Sequence, residues 1–395
     1  MRLVTFSPNG TAYLMSLSTD EDPTSVFGVN PDAMLVSKST DGGATWSDPI
    51  TLIRDTNPNR LNDKNSMTAD PNNSDFVYAI WDRLESPPSG NTNPIAGENA
   101  IAFRGPTLFT RTTDGGVSWE EPRIIFDPGT LQQTIGNQIV VLPDNERFEG
   151  DELVNGFNLI QNTRKAATRG FNVSVIRSED NGATWSNPIR FERMVNPGVS
   201  DPDPPDDGNP VRTADIIPDI AVDPTSGQLY AVWQDKRFDD GQHDSIALST
   251  STDGGLTWTP AVKVNETPTD IPTGNQQAFT PAVDVAEDGT VSVTYYDFRN
   301  NTPDQNTLPT DYWMVHCHTS TTVDCSQGSQ YDGSEVRLTD TSFDMEKAPF
   351  ARGYFVGDYE GLANDIGDEG ADFAPFFSQT HDDDPASIFF RRVGP

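Results

Sequence analysis

The feature that most constrains this chain is an eight-residue segment that recurs four times without gaps. It occupies residues 39–46 (STDGGATW), 112–119 (TTDGGVSW), 178–185 (SEDNGATW) and 251–258 (STDGGLTW). The closing residues Trp46, Trp119, Trp185 and Trp258 are 73, 66 and 73 residues apart. A fixed period of this length marks a repeated structural unit, and the unit has to be identified before any domain is counted. Asp-Gly and Asn-Gly pairs supply the positive φ of a tight hairpin turn. The carboxylates of Asp41, Asp114, Asp180 and Asp253 can accept backbone N–H bonds inside that turn. Each tryptophan then offers a large ring to a neighbouring strand. This chemistry is structural, and it leaves the four aspartates no need of a catalytic role.

The fourth copy shows the whole unit. Residues 216–223 read as a strand, 223–227 as a turn, and 229–237 as a second strand. A loop, a third strand over 245–251, the turn segment and a fourth strand over 258–265 follow. Four antiparallel strands of this kind make one blade of a β-propeller. The sequence therefore predicts an all-β fold, a single six-bladed propeller over residues 1–395 with Asp-Gly turns. The blades fall near 1–53, 66–126, 138–191, 213–265, 279–338 and 348–393, the last being the most degenerate. An added N-terminal strand is a standard way to close such a ring.

Composition narrows the partners. The chain has 395 residues, with 26 Lys plus Arg against 60 Asp plus Glu, a formal charge of −34. Such a surface repels nucleic acid and anionic lipid. Calcium-binding loops and adaptation to high salt both account for the acidity, and both stay open. The acidic loops 201–207 and 365–372 are the candidate calcium sites. No other cofactor is implied. The 31 glycines and 31 prolines fit many turns and little helix. No run of about 18 apolar residues occurs, so no spanning helix is expected. Met1 leads directly into strand-like sequence, and an export signal is expected to have been removed ahead of it. The only cysteines, Cys317 and Cys325, suit a local disulfide and an oxidising compartment. A Cys/His zinc site in the stretch from His316-Cys317-His318 to Asp324-Cys325 is the alternative.

Function should lie on one face. The connections from second to third strands are long, at 20–33, 83–99, 299–310 and 361–373, as is the 195–213 link between blades. In an up-and-down blade these two classes emerge on the same side, where loops carry function. Second strands end there in Trp233-Gln-Asp235-Lys-Arg237 and Tyr295-Tyr-Asp297-Phe-Arg299. Round the ring their last positions read Asp20, Glu85, Arg164, Arg237, Arg299 and Glu360. Arg164, Arg237 and Arg299, with Asp235 and Asp297, are the candidate substrate-binding residues, suited to a carboxylate. The alternative pairs each arginine with the aspartate two residues before it. Asp358, Glu360 and Tyr354 are the candidate catalytic residues.

The four segments resemble the Asp boxes, or BNR repeats, of the sialidase superfamily. The likeness covers residues 39–258 directly and most of the chain through the blade pattern. It implies a six-bladed propeller with the boxes away from the site. It also implies an exo-acting glycoside hydrolase, extracellular or at the cell surface, using an arginine triad, a Tyr/Glu pair and an Asp acid/base. The sequence departs from that pattern. The family's Arg-Ile-Pro element is replaced by Arg2-Leu-Val, and no Tyr/Glu pair maps directly, although Tyr354, Tyr359 and Glu360 are available late in the chain. The resemblance therefore implies a secreted sialidase-like hydrolase of an acidic extracellular glycan. A non-catalytic glycan- or protein-binding propeller, or a structural module of a surface assembly, is the alternative.

Overall fold

A computed structural model describes the chain except residues 1–2, 23, 26, 87–102, 163–168, 196–197, 204–207, 320–323, 366–371 and 395. Arg164, most of the 365–372 loop and part of the 201–207 loop lie outside the described residues. The fold is all-β, with three short 3-10 turns as its only helices among the described residues. None of these is long and apolar enough to cross a membrane. The chain divides into two compact units, Met1–Arg193 and Met194–Pro395.

The first unit holds three four-stranded antiparallel sheets. In chain order they are β1 (Val4–Phe6), β2 (Ala12–Glu21), β3 (Val29–Ser39) and β4 (Ile50–Asp55); β5 (Arg60–Ala69), β6 (Val77–Glu85), β7 (Thr107–Thr112) and β8 (Arg123–Phe126); and β9 (Gln132–Val141), β10 (Leu153–Gln161), β11 (Gly170–Ser178) and β12 (Ile189–Arg193). The second unit opens with β13 (Val199–Ser200) and β14 (Pro210–Arg212). Next come the sheet of β15 (Asp219–Val222), β16 (Leu229–Asp235), β17 (Ser245–Ser251) and β18 (Val262–Lys263), and the sheet of β19 (Ala278–Val285), β20 (Thr290–Asp297), β21 (Pro309–His318) and β22 (Val336–Arg337), with β23 (Phe343–Asp344) pairing β21. Strand β24 (Tyr354–Phe355) runs parallel to β14. A three-stranded sheet of β25 (Gly361–Asp365), β26 (Asp372–Gln379) and β27 (Ser387–Phe390) ends the unit.

The middle strands are buried on both faces, because sheet packs on sheet. All eight residues of β20 and all seven of β16 and β17 are buried. One cluster joins Tyr230, Val232 and Leu248 of the β15–β18 sheet to Val293, Tyr295 and Val315 of the β19–β22 sheet. Burying each such aliphatic side chain contributes about 1.5–3 kcal/mol.

The four Asp-Gly turns share one hydrogen-bond set. In the first, Ser39 Oγ donates to Asp41 Oδ1 at 2.8 Å, Gly43 N donates to Ser39 Oγ at 2.9 Å, and Thr45 N and Oγ1 donate to the Asp41 carboxylate at 2.9 and 2.6 Å. Asp114, Asp180 and Asp253 accept the same bonds in their own turns. The Thr45 bonds, led by its hydroxyl, lower the Asp41 carboxyl to about 2. Gly182 could not be replaced without movement, since a Cβ there would lie 2.6 Å from the Phe109 ring. Trp185 packs edge-on against that same ring, with centroids 5.5 Å apart. Trp46 differs, being 41% exposed.

Two local expectations are corrected. The fourth strand expected over 258–265 shrinks to β18, because Pro260 carries no N–H for the ladder. Asp358 and Glu360 do not end a second strand. They precede β25, the first strand of the last sheet, so the segment taken for a long connection at 361–373 is partly strand.

Candidate functional site

In the second unit, β16 and β20 each end in a buried aspartate followed two residues later by an arginine. Asp297 Oδ1 accepts the Arg299 N–H at 3.2 Å and Trp313 Nε1–H at 3.0 Å. Its Oδ2 takes Arg299 Nε at 2.7 Å and Thr267 Oγ1 at 2.7 Å. The rest of the Arg299 fork goes to Glu335, with Nη2 to Oε1 at 2.7 Å and Nη1 to Oε2. The guanidinium also lies 3.8 Å from the Trp313 ring centroid. Burial works against its charge, and the bonds from Glu335 and Asp297 more than offset this, holding it firmly protonated. Tyr295 completes the cluster by donating its hydroxyl to Glu335.

Arg237 repeats the device. Its N and Nε donate to Asp235 Oδ1 at 3.0 Å each, and Nη2 donates to Oδ2 at 2.8 Å. Trp233 Nε1 donates to the same carboxylate at 2.9 Å. Arg237 and Arg299 are thus held by carboxylates of their own sheets and are not presented as open forks. The physical reason is local: residues two apart around a strand end turn their side chains to the same side.

The acidic candidates are also engaged. Asp358 binds Arg212 through three bonds of 2.8–3.1 Å. Arg212 lies 3.9 Å over the Phe355 ring. The parallel pairing of β14 with β24 brings these partners together across 146 positions. Tyr354 packs edge-on against Phe350 at 5.8 Å. Glu360 is 7% exposed and accepts the Tyr296 hydroxyl at 2.9 Å. Burial pushes its carboxyl up to about 8, against the pull of that bond. Asp244, which the sequence did not single out, is fully buried, accepts Gln234 Nε2 at 3.2 Å and is likewise raised to about 8 by burial.

The loops of the expected face converge on one pocket of about 370 Å³. They are the loop after β20, the loop before β19 and the loop after β13. Asn301 Nδ2 donates to Asp203 Oδ2 at 2.6 Å and to Asn275 Oδ1 at 3.3 Å, linking all three loops on the pocket wall. Pro202 and Pro272 supply apolar wall, and Arg299 lines one side. Gln277 fixes the loops from behind. Its Nε2 donates to Ser200 O and Gly274 O at 2.7 Å each, and its Oε1 accepts Ser200 N at 2.9 Å. Gly274 permits this approach, for a Cβ there would lie 2.5 Å from Pro202 Cβ. Of the candidate substrate-binding and catalytic residues anticipated from sequence, only Arg299 lines the pocket. Asp203 reads in sequence as part of a candidate calcium loop, while Asn275 and Asn301 read as ordinary loop polarity.

The described residues contain no group of three or more His, Cys, Asp or Glu arranged to hold a metal. Cys317 and Cys325 are joined in a disulfide with Cα atoms 5.8 Å apart.

No family model and no curated protein matches this sequence. Solved structures do match in fold. A Dyadobacter fermentans protein of unknown function is 15% identical, with TM-score 0.56, covering 99% of this chain and 93% of that one. The Hadza microbial sialidase Hz136 is 16% identical, with TM-score 0.54, and this chain spans 65% of its length. A Penicillium chrysogenum α-L-arabinanase, complexed with arabinobiose, is 13% identical, with TM-score 0.52, covering 98% of this chain and 93% of that one. The fold is therefore of the sialidase-like propeller kind. Likeness at such identity carries architecture and not activity.

Proposed function

We propose that the five sheets β1–β4, β5–β8, β9–β12, β15–β18 and β19–β22, with the β25–β27 sheet as the last, are the six blades of one propeller, and that the chain is a non-catalytic glycan-binding module. The observation that carries this is the pocket wall formed by Asp203, Asn275 and Asn301 between proline faces. Planar amide and carboxylate groups meet sugar hydroxyls, and proline rings meet the C–H faces, the usual division of labour in a small-molecule site. The disulfide suits an oxidising, extracellular setting.

The charge of the pocket favours a neutral saccharide over an acidic one. Arg299 is matched by both Asp297 and Glu335, and Asp203 adds a further carboxylate. A sugar carboxylate needs an uncompensated cation, since an anion taken into such a site without one pays a large desolvation cost. Hydrolysis remains a second reading, favoured by Glu360. A carboxyl raised to about 8 is protonated at neutral pH, as a general acid must be. Its burial and its bond to Tyr296 count against contact with a substrate.

Calorimetric titration with neutral arabino- and galacto-oligosaccharides, beside sialyl and uronic sugars, tests the proposal. Neutral sugars should bind, and Asn301→Ala should weaken them at least tenfold, the loss of one or two hydrogen bonds. Binding confined to acidic sugars, or unaltered in Asn301→Ala, would overturn it. Release of 4-methylumbelliferone from a matched glycoside panel, abolished by Glu360→Gln, would select the hydrolase.

A further inference from the structure

The chain has four histidines, and two of them lie side by side at the end of β21. His316 and His318 are two apart on a strand, so their side chains share one face of the sheet, while Cys317 between them points to the other. Cys317 is buried among Val291, Val315 and Tyr331 and is tied to Cys325. With both thiols in the disulfide, sulfur ligation is closed, and the two imidazoles remain as metal-ligating groups.

Their geometry suits a shared ion. The ring centroids are 5.1 Å apart with an interplanar angle of 79°. Two imidazoles that each hold one metal at about 2.0–2.1 Å bring their centroids to roughly 4.5–5 Å. His318 Nδ1 is 2.9 Å from Thr290 Oγ1. A ligating histidine commonly donates its second ring N–H to an oxygen in this way, which fixes the tautomer and aims the other nitrogen at the metal. Nε2 of His318 has no hydrogen bond among the described residues. On His316 the orphan is Nδ1, buried and without a hydrogen-bond partner. Ser292, its direct cross-strand neighbour, also has a buried Oγ without one. Two adjacent orphaned polar atoms on one sheet face are costly unless something satisfies them.

We infer that His316 Nδ1 and His318 Nε2 form a two-nitrogen binding site for a borderline transition-metal dication, with water completing the coordination sphere. Imidazole selects Cu2+, Ni2+ and Zn2+ over the hard cations that carboxylates prefer, and Cu2+ should bind most tightly. The net charge of −34 draws cations of every kind to the surface, and the imidazole pair does the sorting. With only two protein ligands, the ion exchanges readily. The site is separate from the pocket lined by Asn301, so it stands whether or not that pocket binds sugar.

The test is a calorimetric titration of the oxidised protein with Cu2+, in excess Ca2+ to occupy carboxylates, with electron paramagnetic resonance of the one-equivalent complex. One equivalent should bind at micromolar dissociation constant or tighter, with hyperfine coupling from two nitrogens. His318→Ala, a substitution at an exposed position, should weaken it at least tenfold, as should His316→Asn, while His381→Ala should not. Melting curves of the variants confirm that they fold. The assignment fails if no equivalent binds with nitrogen coupling, or if His318→Ala and His316→Asn bind Cu2+ as the parent does.

Discussion

Glu360 and Asp41 are carboxyls moved in opposite directions by their surroundings. The turn hydroxyl and N–H of Thr45 favour the charged form of Asp41, which is lowered to about 2. Its contribution is present above the unfolded carboxyl pKa and is lost as pH falls through 2. Glu360 has the reverse sign. Burial raises it to about 8, so between the unfolded value near 4.3 and 8 the folded state holds a proton that the unfolded chain has released. The folded protein therefore loses stability as pH rises through that window. Glu360→Gln keeps the acceptor for the Tyr296 hydroxyl and removes the titration. Its melting temperature should match the parent near pH 4 and exceed it increasingly towards pH 8. Parallel melting profiles for the two proteins from pH 4 to 9 would show that Glu360 ionises freely in the fold.

At the scale of the strand, the first strands of three sheets share an irregularity. Each has a register shift at a left-handed residue: Lys64 with φ 51°, Gly136 with φ 72° and Thr280 with φ 49°. A β-branched threonine in this conformation is unusual and needs support. It comes from the second strand of the preceding sheet. In the first unit Gly136 N donates to Asp82 Oδ2 at 2.9 Å, and in the second Thr280 N donates to Gln234 Oε1 at 3.0 Å. The same position on the strand thus clasps the next sheet in both units. Gln234→Ala leaves the Thr280 N–H and Asp244 without their partner and should cost about 1–3 kcal/mol in denaturant unfolding. Sugar binding per folded molecule should be unchanged. A loss below about 0.5 kcal/mol, the range of ordinary surface substitutions, would mean that the clasp is dispensable.

At the scale of the whole molecule, 60 acidic against 26 basic side chains make self-repulsion the dominant long-range term. Salt shortens its reach, from a Debye length of about 10 Å at 0.1 M to about 3 Å at 1 M. The melting temperature should therefore climb by several degrees between low salt and about 0.5 M NaCl. A melting temperature indifferent to NaCl but raised by millimolar CaCl2 would instead assign the acidity to calcium loops.

Turn chemistry and period were legible in the sequence because they are local. The Ser39, Asp41, Gly43 and Thr45 bonds all close within four residues, and the strand expected over 245–251 is β17 itself. The proximity of Asp297 to Arg299 was legible for the same reason, as the alternative to an open clamp. What could not be read was which groups meet after the sheets stack. Arg212 finds Asp358 across 146 positions, and Asn301 finds Asp203 across 98. Gln277 looks like any loop amide until it holds Ser200 to Gly274. Glu360 reads in sequence as a candidate catalytic acid on the loop face, and its burial against Tyr296 appears only in the fold. Sequence fixes hydrogen bonds that close within a turn, because chain connectivity already brings those groups together. Pairing, burial and protonation of distant side chains depend on the register and packing of whole sheets, and only the tertiary structure decides them.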